Sequence, residues 1–537
     1  MPLLRPSDRT RCWWVVAAMA LVMLPISIDS FGLVVALPSI SSHFSATTSQ
    51  LAWVLNMAIL FFGAGAMVLG RLSDIVGRRR LLLASLAVVA VASVGCALAP
   101  SVGVLIGFRA LEGIGMSGTY ASSFPIVSNA FTPERRSVGL GMWAAGFMFG
   151  NVVGGPVAGW FSESLSWRWL FWLNLPLLAA GLALTLLAVE ESRDESASRV
   201  IDWFGVITPT VALLCLLFGL QSANEAGWGS AAVAGSLGAA AVLLGVFFVF
   251  EPRRPVPLID FGLFRNRTYW SATAVGFTGN FGFAITLFFT PLYLQVVLGY
   301  TPTQAGLVLL AYSVPCFLVS AAIGPICARF GARSAMVVGM VLLTVGAVAY
   351  SLVSPSTGVA LVVAVAVAGG LGTGGAFNGS NISGVGAIAE EKVGAASGVL
   401  GQIRLLGQTL GVTVGLVVFN TFAERRLGDL VPGTKLTHAQ VHDVHGLLAG
   451  SQVAQQALAH DAPALARRLQ AVATETFVAG LRAAMIVTVV ICLIGVAAAL
   501  ATRGQRATAP VENEGTTPGP SYKGSPPVAA AVDPESW

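Results

Sequence analysis

The stretch GRLSDIVGRRR, residues 70–80, places five charged residues directly after LAWVLNMAILFFGAGAMVLG, residues 51–70, which has none. The arginines alone would fit an ordinary solvated loop. An aspartate between Gly70 and Gly77, two glycines seven residues apart, needs a more specific explanation. An uncharged apolar run of about 20 residues can cross a bilayer as a helix. The charges therefore mark the point at which the chain leaves a membrane.

The whole chain has the composition of a membrane protein. Of its 537 residues, 55% are hydrophobic and 10% are charged, against about 25% charged residues in a typical soluble domain. The first apolar run extends from near Cys12 to Leu37 and follows Arg5, Arg9 and Arg11. No small-residue cleavage site ends it early, so we interpret it as a retained span and not as a signal peptide. The six cysteines lie scattered in apolar segments and predict neither a disulfide framework nor a metal site.

Apolar runs between charged or Pro/Gly breaks predict fourteen transmembrane helices, each long enough to span a bilayer. They lie near 13–37, 51–70, 81–99, 103–125, 138–161, 169–189, 203–221, 230–250, 269–298, 304–327, 334–353, 358–386, 395–420 and 477–501.

Positive charge is concentrated in alternate loops. Short loops near residue 100 and at 222–229, 299–303 and 354–357 carry no lysine or arginine, whereas the loops between them carry many. The positive-inside rule makes the arginine-bearing loops cytoplasmic and predicts that both termini are cytoplasmic. An even number of spans is required by this topology, and fourteen satisfies it.

The predicted domains follow from the span count. They are an N-terminal six-helix bundle over 1–200, a two-helix insertion over 201–252, a C-terminal six-helix bundle over 253–502 and a disordered cytoplasmic tail over 503–537. Within the second bundle, residues 421–475 are expected to form an external loop.

The two bundles carry an internal repeat. GRLSDIVGRR (70–79) matches GPICARFGAR (324–333) in glycine spacing, and GIGMSGTYASS (113–123) matches GLGTGGAFNGS (370–380) at nearly the same offset. Chance similarity between glycine-rich helices is the alternative explanation. Parallel repeats are typical of transporters, in which one half can rock against the other.

Several motifs, in order along the chain, resemble the major facilitator superfamily, and within it the fourteen-span drug:proton antiporter branch (EmrB/QacA type). They are GRLSDIVGRRR (70–80), RALEGIG (109–115), GNVVGGPVAGW (150–160), SWRWLFWLNLP (166–176), PLIDFGLFRNR (257–267) and AASGVLGQIRLLGQTLGV (395–412). The resemblance covers about residues 12–501. It implies an all-α integral membrane fold of two six-helix bundles with two extra helices between them.

Ionisable residues inside hydrocarbon are costly and are functional candidates by default. We predict that Asp29 is the proton-coupling acid, Arg109 the cation that tunes its affinity for protons, and Glu112 a second acid on the same helical face as Arg109. A structural ion pair that never titrates is the alternative. Arg404, within GQIRLLGQ, either extends to the cytoplasmic surface or bonds backbone carbonyls, or takes part in substrate or proton movement.

The opening stretch is interpreted as a cytoplasmic latch. Gly70 and Gly77 are expected to let two helix ends approach closely. In proteins that the sequence resembles, the aspartate of this motif contacts the other half when the transporter is open outward. Asp74 would then form the latch and Arg78 would hold it, while the second copy of the repeat has Ala328 at the equivalent position.

The span-five motif implies export, because the resembling motif accompanies antiporters. Its residues are Gly150, Gly154, Gly155, Pro156 and Gly159, and Pro156 is expected to bend this helix or to loosen its packing. Span one departs from the resembling families at Phe31 and Val34, where Thr and Asn are common, which makes the surroundings of Asp29 bulkier and less polar. Candidate residues of an apolar substrate pocket are Asn56, Tyr120, Trp143, Asn280, Phe283, Tyr293, Gln295 and Asn378.

No phosphate-binding GxxxxGK[ST] and no nucleophile–base arrangement is found in the sequence, so neither ATP hydrolysis nor enzymatic activity is expected. His438, His442 and His445 have metal-like spacing, but we favour a solvated amphipathic helix over metal binding or sensing of external pH. We therefore expect a multi-pass plasma-membrane exporter, monomeric and without a cofactor, that uses a proton gradient to expel small amphipathic molecules and binds no nucleic acid. The alternatives are an exporter dedicated to one metabolite or lipid, an uptake symporter and a non-transporting sensor.

Overall fold

The computed structural model describes residues 8–132, 135–193, 202–254, 259–389, 392–434, 444, 447–448 and 463–502. Long helices dominate these residues. In chain order they are α1 (Asp8–Phe44), α2 (Thr48–Val76), α3 (Arg78–Ala97), α4 (Val102–Ala130), α5 (Arg136–Ser164), α6 (Trp169–Ala188), α7 (Trp203–Ala226), α8 (Ala231–Phe250), α9 (Arg267–Val296), α10 (Pro302–Val308), α11 (Leu310–Phe330), α12 (Ala332–Ser351), α13 (Val359–Val385), α14 (Val393–Thr434) and α15 (Pro463–Ala501).

Within the described residues, 13 helical segments are long and apolar enough to cross a membrane. The pair α10 and α11 together forms one of them. Helix α4 is a further helix of 29 residues and carries two buried charged residues, Arg109 and Glu112. With α4 included, the long helices correspond to the fourteen predicted spans, and the predicted all-α membrane fold is confirmed.

The helix packing repeats between the two halves of the chain. In the first half α1 packs on α5 and α6, while α4 packs on α2 and α3. In the second half α9 packs on α14 and α15, while α13 packs on α11 and α12. The hairpin of α7 and α8 packs against α2 and α14 through α7. The sequence repeat therefore corresponds to a repeat of helix contacts.

Repeat-related glycines have the same structural task in both halves. Gly77 begins α3 with φ 121° and Gly331 begins α12 with φ 84°, a backbone conformation that glycine adopts at little cost. On α4, a Cβ added to Gly113 would lie 2.3 Å from the carbonyl oxygen of Ala58. On α13, a Cβ added to Gly370 would lie 2.1 Å from the carbonyl oxygen of Tyr312. Both pairs were aligned by the sequence repeat.

Two arginines tie helix hairpins at the face opposite to residues 70–80. Arg168 donates from Nε to the carbonyl of Ala97 at 2.8 Å and from Nη2 to that of Ala99 at 2.9 Å, which fixes the turn between α3 and α4. Arg482 on α15 donates from Nε to the carbonyl of Val353 at 2.7 Å, at the equivalent turn between α12 and α13. Carbonyl groups left free at a helix end are satisfied in this way.

The expected loop over 421–475 is helical at both ends. Helix α14 continues to Thr434 and α15 begins at Pro463. Leu427 and Leu469 on these extensions are at most 2% exposed, and Arg426 pairs with Glu475 at 3.0 Å. Burial of one apolar face against the rest of the protein explains why helix replaces the expected loop there.

The halves are joined at one face of the protein. We call the face with residues 70–80, 251–254 and 329–333 the arginine-rich face and the other the opposite face. Near the opposite face, the side-chain amide of Asn56 donates to Thr413 Oγ1 at 2.8 Å. The backbone N–H of Thr303 donates to Glu163 at 3.1 Å. These contacts hold the two halves together there.

An aromatic contact between the halves lies beside these hydrogen bonds. The ring centroid of Phe31 is 5.9 Å from that of Phe283 and 6.2 Å from that of Tyr312. Phe31 and Tyr312 are at most 5% exposed and belong to an apolar cluster that both halves share. Toward the arginine-rich face, Tyr120, Phe377 and Arg404 are partly exposed. We infer that the protein is closed at the opposite face and that a crevice between the halves lies on the arginine-rich side.

We predict that Gly159→Ala destabilises the closed contact between α5 and α10. An added Cβ would lie 2.4 Å from the carbonyl oxygen of Pro302, and overpacking of this kind costs about 1–3 kcal/mol. Gly141→Ala on the same helix is the matched control, because no heavy atom lies within 4 Å of its added Cβ. Thermal unfolding in detergent should show a lower melting temperature for Gly159→Ala only. Equal melting temperatures for the two variants would contradict the close contact.

Candidate functional site

Three charged side chains meet in the middle of the first half. Arg109 on α4 forms two parallel hydrogen bonds to Asp29 on α1, Nη1 to Oδ1 at 2.8 Å and Nη2 to Oδ2 at 2.7 Å. Its Nη1 also donates to Glu112 Oε2 at 2.6 Å, one helical turn further along α4. The paired geometry is the strong form of an arginine–carboxylate interaction.

Close helix packing places this arginine. The added Cβ of Gly113 would clash with α2, so only a glycine lets α4 lie against the α2 backbone. At that short separation Arg109 Nε donates to the carbonyl of Val54 on α2 at 3.0 Å. The guanidinium also lies 5.9 Å from the ring centroid of Phe171 on α6. The charge is thus held by four helices of the first half.

The two carboxylates differ in access to solvent. Glu112 is 0% exposed and accepts hydrogen bonds from Ser93 at 3.1 Å and Asn174 at 3.2 Å. The side chain of Asp29 is 15% exposed. Asp29 is therefore accessible to solvent, whereas Glu112 is not.

Sequence reasoning missed the partners of Glu112. Ser93, Cys96 and Asn174 lie in otherwise apolar spans. Ser93 and Cys96 donate to the Glu112 carboxylate, and Asn174 donates to Ser93 Oγ. Asn174 could have indicated this hydrogen-bond network from the sequence, because an amide in a membrane helix needs a buried polar partner. With Asp29 and Glu112 both ionised the cluster carries one net negative charge. Addition of one proton would make it neutral.

The predicted latch residues lie at the arginine-rich face. Arg78 donates to Asp74 Oδ1 at 2.8 Å, four residues away, and this pair is only partly buried. Glu191, which follows α6, accepts hydrogen bonds from the backbone N–H groups of Arg79 and Arg80 at 3.1 and 3.2 Å. A carboxylate at the start of α3 satisfies its free N–H groups and its dipole.

The two glycines of this stretch have different roles. Gly77 has φ 121°, a backbone conformation that favours glycine, and its added Cβ would lie 2.5 Å from Glu191 Oε1, at the end of a flexible side chain. Gly70 was expected to permit a close helix approach, and this expectation is wrong. Its added Cβ would lie 3.8 Å from Ala121 Cβ, an ordinary van der Waals distance. Asp74 therefore lies near one constrained glycine only.

The glycines of the α5 motif contact two different partners. Added Cβ atoms would clash with Ser27 at Gly150 and with the carbonyl of Ile28 at Gly154, both on α1. Gly159 meets Pro302, as described above, and an added Cβ at Gly155 would lie 3.1 Å from the carbonyl oxygen of Gly306 on α10. Pro156 lies within α5, which continues through it to Ser164. The motif thus packs α5 on its own half and on the other half at once.

The candidate pocket residues separate into two groups. Tyr120 and Trp143 belong to an aromatic cluster in the first half, with ring centroids 5.6 Å apart. On the second half, Asn280 lines a cleft next to Phe377, and the amide of Asn378 donates to Ser320 at 2.9 Å. These residues lie on the crevice side of Phe31.

The remaining candidates belong to the closed opposite face. The amide of Gln295 donates to the carbonyl of Val35 at 3.3 Å across the halves. The hydroxyl of Tyr293 donates to the carbonyl of Thr357 at 3.1 Å, and Tyr293 is 0% exposed. Gln295, with Asn56 and Phe283 described above, joins the two halves, whereas Tyr293 bonds within the second half. None of them is brought together with the crevice residues.

His438, His442 and His445 lie outside the described residues. Among the residues that are described, no group of three or more His, Cys, Asp or Glu side chains could hold a metal ion.

Paired helix bundles with a repeat, a crevice between them and a buried charged cluster define a secondary transporter. The family model of the Major Facilitator Superfamily matches residues 19–412. The chain therefore belongs to the major facilitator superfamily, whose members are membrane transporters and not enzymes.

Similar proteins include several efflux proteins. Multidrug efflux pump LfrA of Mycolicibacterium smegmatis is 32% identical over 91% of this chain and 96% of its own length. Multidrug resistance protein Stp of Mycobacterium tuberculosis is 30% identical over 89% of this chain and 90% of its own. A solved bacterial homologue of the human lysosomal transporter Spinster, inward-facing and unoccupied, has a TM-score of 0.62 and 18% identity, and covers 92% of this chain and 97% of that one. This last likeness supports the fold.

We predict that Arg109→Gln destabilises the protein strongly, because Asp29 and Glu112 would lose their shared cation. Removal of one partner from a buried ion pair costs about 3–5 kcal/mol. The triple variant Asp29→Asn, Arg109→Gln, Glu112→Gln should recover much of the loss, since it leaves no buried charge unpaired. Melting temperatures of the purified proteins in detergent measure both effects. A single variant as stable as the wild type would contradict the ion-pair account.

Proposed function

We propose that this protein is a proton-driven antiporter that exports small amphipathic molecules. The observation that carries the proposal is the position of Asp29, a carboxylate bound by Arg109 yet 15% exposed, within a chain similar to multidrug efflux proteins. Protons and cargo would use the same crevice in alternation. The proton gradient serves as the energy source, with no cofactor.

Proton coupling at Asp29 depends on its arginine. Two unit charges about 4 Å apart attract by roughly 4 kcal/mol at an effective dielectric constant of about 20. Arg109 holds both oxygens of Asp29, and this attraction keeps the two side chains together. A rearrangement of α1 against α4 that lengthens these bonds would release Asp29 from Arg109 to exchange a proton. Glu112 stays bound to Arg109 and keeps the guanidinium compensated when Asp29 is neutral.

The orientation of the protein follows from charge. We infer that the arginine-rich face is cytoplasmic, because Lys and Arg accumulate in cytoplasmic loops, and that both chain ends lie on that side. The crevice then opens to the cytoplasm, where cargo would enter. The Asp74–Arg78 pair lies at this face and would become part of a latch between the halves when the crevice closes.

A dedicated exporter is the second candidate function. The chain is 26% identical, over 92% of its length, to the tetracenomycin C resistance and export protein of Streptomyces glaucescens. Phe31 narrows the route next to Asp29 by contact with Phe283 and Tyr312, which would restrict the shapes accepted. The multidrug exporter and the dedicated exporter differ in how many classes of molecule they would transport.

The first measurement uses everted membrane vesicles with an acidic interior. We expect wild-type vesicles to accumulate a lipophilic cationic dye, and Asp29→Asn vesicles to show only background accumulation. Asp260→Asn is the matched control, because Asp260 lies outside the membrane spans and pairs with Lys392 at 2.7 Å. Dye exchange without a gradient should persist in Asp29→Asn, which would separate coupling from binding. Gradient-driven uptake by Asp29→Asn equal to the wild type would exclude Asp29 as the coupling residue.

Cargo breadth can be measured as resistance of a pump-deficient bacterial host. Expression of the wild type should raise the inhibitory concentrations of several chemically unrelated amphipathic compounds if the cargo is broad. A rise for one structural class alone would identify a dedicated exporter. Greater accumulation of the compounds inside expressing cells would contradict export in both forms.

A further inference from the structure

Arg404 is a partly exposed cation in the second half that the proton-coupling cluster does not use. It lies on α14, 11 residues after Val393, which places it about 16 Å along the helix from that end. An arginine side chain cannot span such a distance to reach the arginine-rich face. Extension to the cytoplasmic surface, one of the three interpretations suggested by the sequence, therefore does not fit this position.

The guanidinium of Arg404 has little compensation from the described residues. Its Nε and Nη1 atoms are buried and have no hydrogen-bond partner among those residues. Its carbon centre lies 3.7 Å from the ring centroid of Phe377 on α13, a cation–π contact. Such a contact supplies about 0.5–2 kcal/mol, which is less than the cost of leaving charged N–H groups unbonded in the protein interior.

The structure makes room for this side chain. Gly276 on α9 lies against it, and an added Cβ there would be 2.9 Å from Arg404 Cγ. The same glycine lines a narrow gap within the second half, too small for a water molecule, together with Asn280, Thr373 and Phe377. The aliphatic part of the Arg404 side chain therefore packs on Gly276, and its guanidinium lies over the Phe377 ring at the edge of the crevice.

The first half faces this site with aromatic side chains. Gly63 on α2 lies against α14 beside Arg404, with its added Cβ 3.2 Å from Gln402 Oε1, and Tyr120 on α4 is partly exposed. Phe62 and Trp143 pack on Tyr120, each with its ring centroid 5.6 Å away. A ligand between the halves would therefore meet aromatic surface on one side and an uncompensated cation on the other.

We propose that Arg404 binds an anionic oxygen of the cargo, so that the exporter accepts amphipathic molecules with an aromatic body and an acidic group. This inference rests on the proposed transport function and adds the substrate class. A carboxylate or ionised phenol would accept hydrogen bonds from Nε and Nη1 while the aromatic body lies between Phe377 and Tyr120. Binding of a planar acid by a guanidinium is favoured by its paired N–H groups.

The test compares two dyes with the same fused-ring body and opposite charge. Carboxyfluorescein is anionic, and tetramethylrhodamine ethyl ester is cationic. Fluorescence anisotropy with purified full-length protein in detergent measures their dissociation constants. We expect Arg404→Gln to weaken carboxyfluorescein binding by about 10- to 100-fold, the usual effect of losing hydrogen bonds to a charged group. Binding of the cationic dye should be unchanged or stronger.

Three further variants make the result specific. Arg404→Lys keeps the charge but loses the paired geometry, so it should weaken anion binding less than Arg404→Gln does. Phe377→Leu should weaken both dyes, because it removes the aromatic surface. Arg329→Gln is the matched control, since Arg329 lies at the arginine-rich face and contacts only the ring of its neighbour Phe330 among the contacts described for it. Melting curves establish that each variant is folded. If Arg404→Gln does not fold, the dissociation constants of the two dyes for Arg404→Lys test the proposal.

Each result either supports or overturns the inference. Selective loss of carboxyfluorescein binding supports it. Equal loss of both dyes, no loss, or a wild type that does not bind carboxyfluorescein overturns it. The proposed export function is measured separately: uptake of the cationic dye into energised vesicles that depends on Asp29 would stand even if the anion site failed.

Discussion

The buried pairing of Arg109 with Asp29 constrains the rest of the first half. A guanidinium 1% exposed inside a membrane protein has to be compensated by carboxylates and carbonyls. Those partners come from α1, α2 and α4, so these helices must pack at a short and fixed separation. Gly113 permits that separation. The glycines that permit close helix packing and the few charges buried in the membrane are therefore linked, because the buried charges need that packing.

The same reasoning applies to the closure between the halves. Close contact of α5 with α10 depends on Gly155, Gly159 and Gly306, where backbones meet without intervening side chains. The aromatic rings of Phe31, Phe283 and Tyr312 fill the space beside this contact. Packing of large rings next to small residues makes the opposite face tight.

Sequence predicted the fold and the charged cluster better than it predicted the connections between them. Asp29, Arg109 and Glu112 could be identified because charged residues are rare in apolar spans. The helical spacing of Arg109 and Glu112 also places both on one face of the helix. The role of Glu191 was not, because it lies more than 100 positions from the backbone N–H groups that it accepts from. Arg168 and Arg482 were likewise missed, since they bind carbonyls, and carbonyls leave no mark in a sequence. The sequence predicts Tyr293 and Gln295 as pocket residues. A polar residue in a span gives the same sequence pattern whether its side chain faces cargo or a neighbouring helix.

The uncompensated charge of Arg404 has an electrical consequence. Entry of one proton in exchange for one cationic molecule moves no net charge across the membrane. Entry of one proton in exchange for one monovalent anion moves two positive charges inward. Each charge moved through the potential is worth about 2.3 kcal/mol per 100 mV. With an anionic cargo seated on Arg404, the membrane voltage would therefore drive export in addition to the pH difference, and the pump would keep working in surroundings where that difference is small.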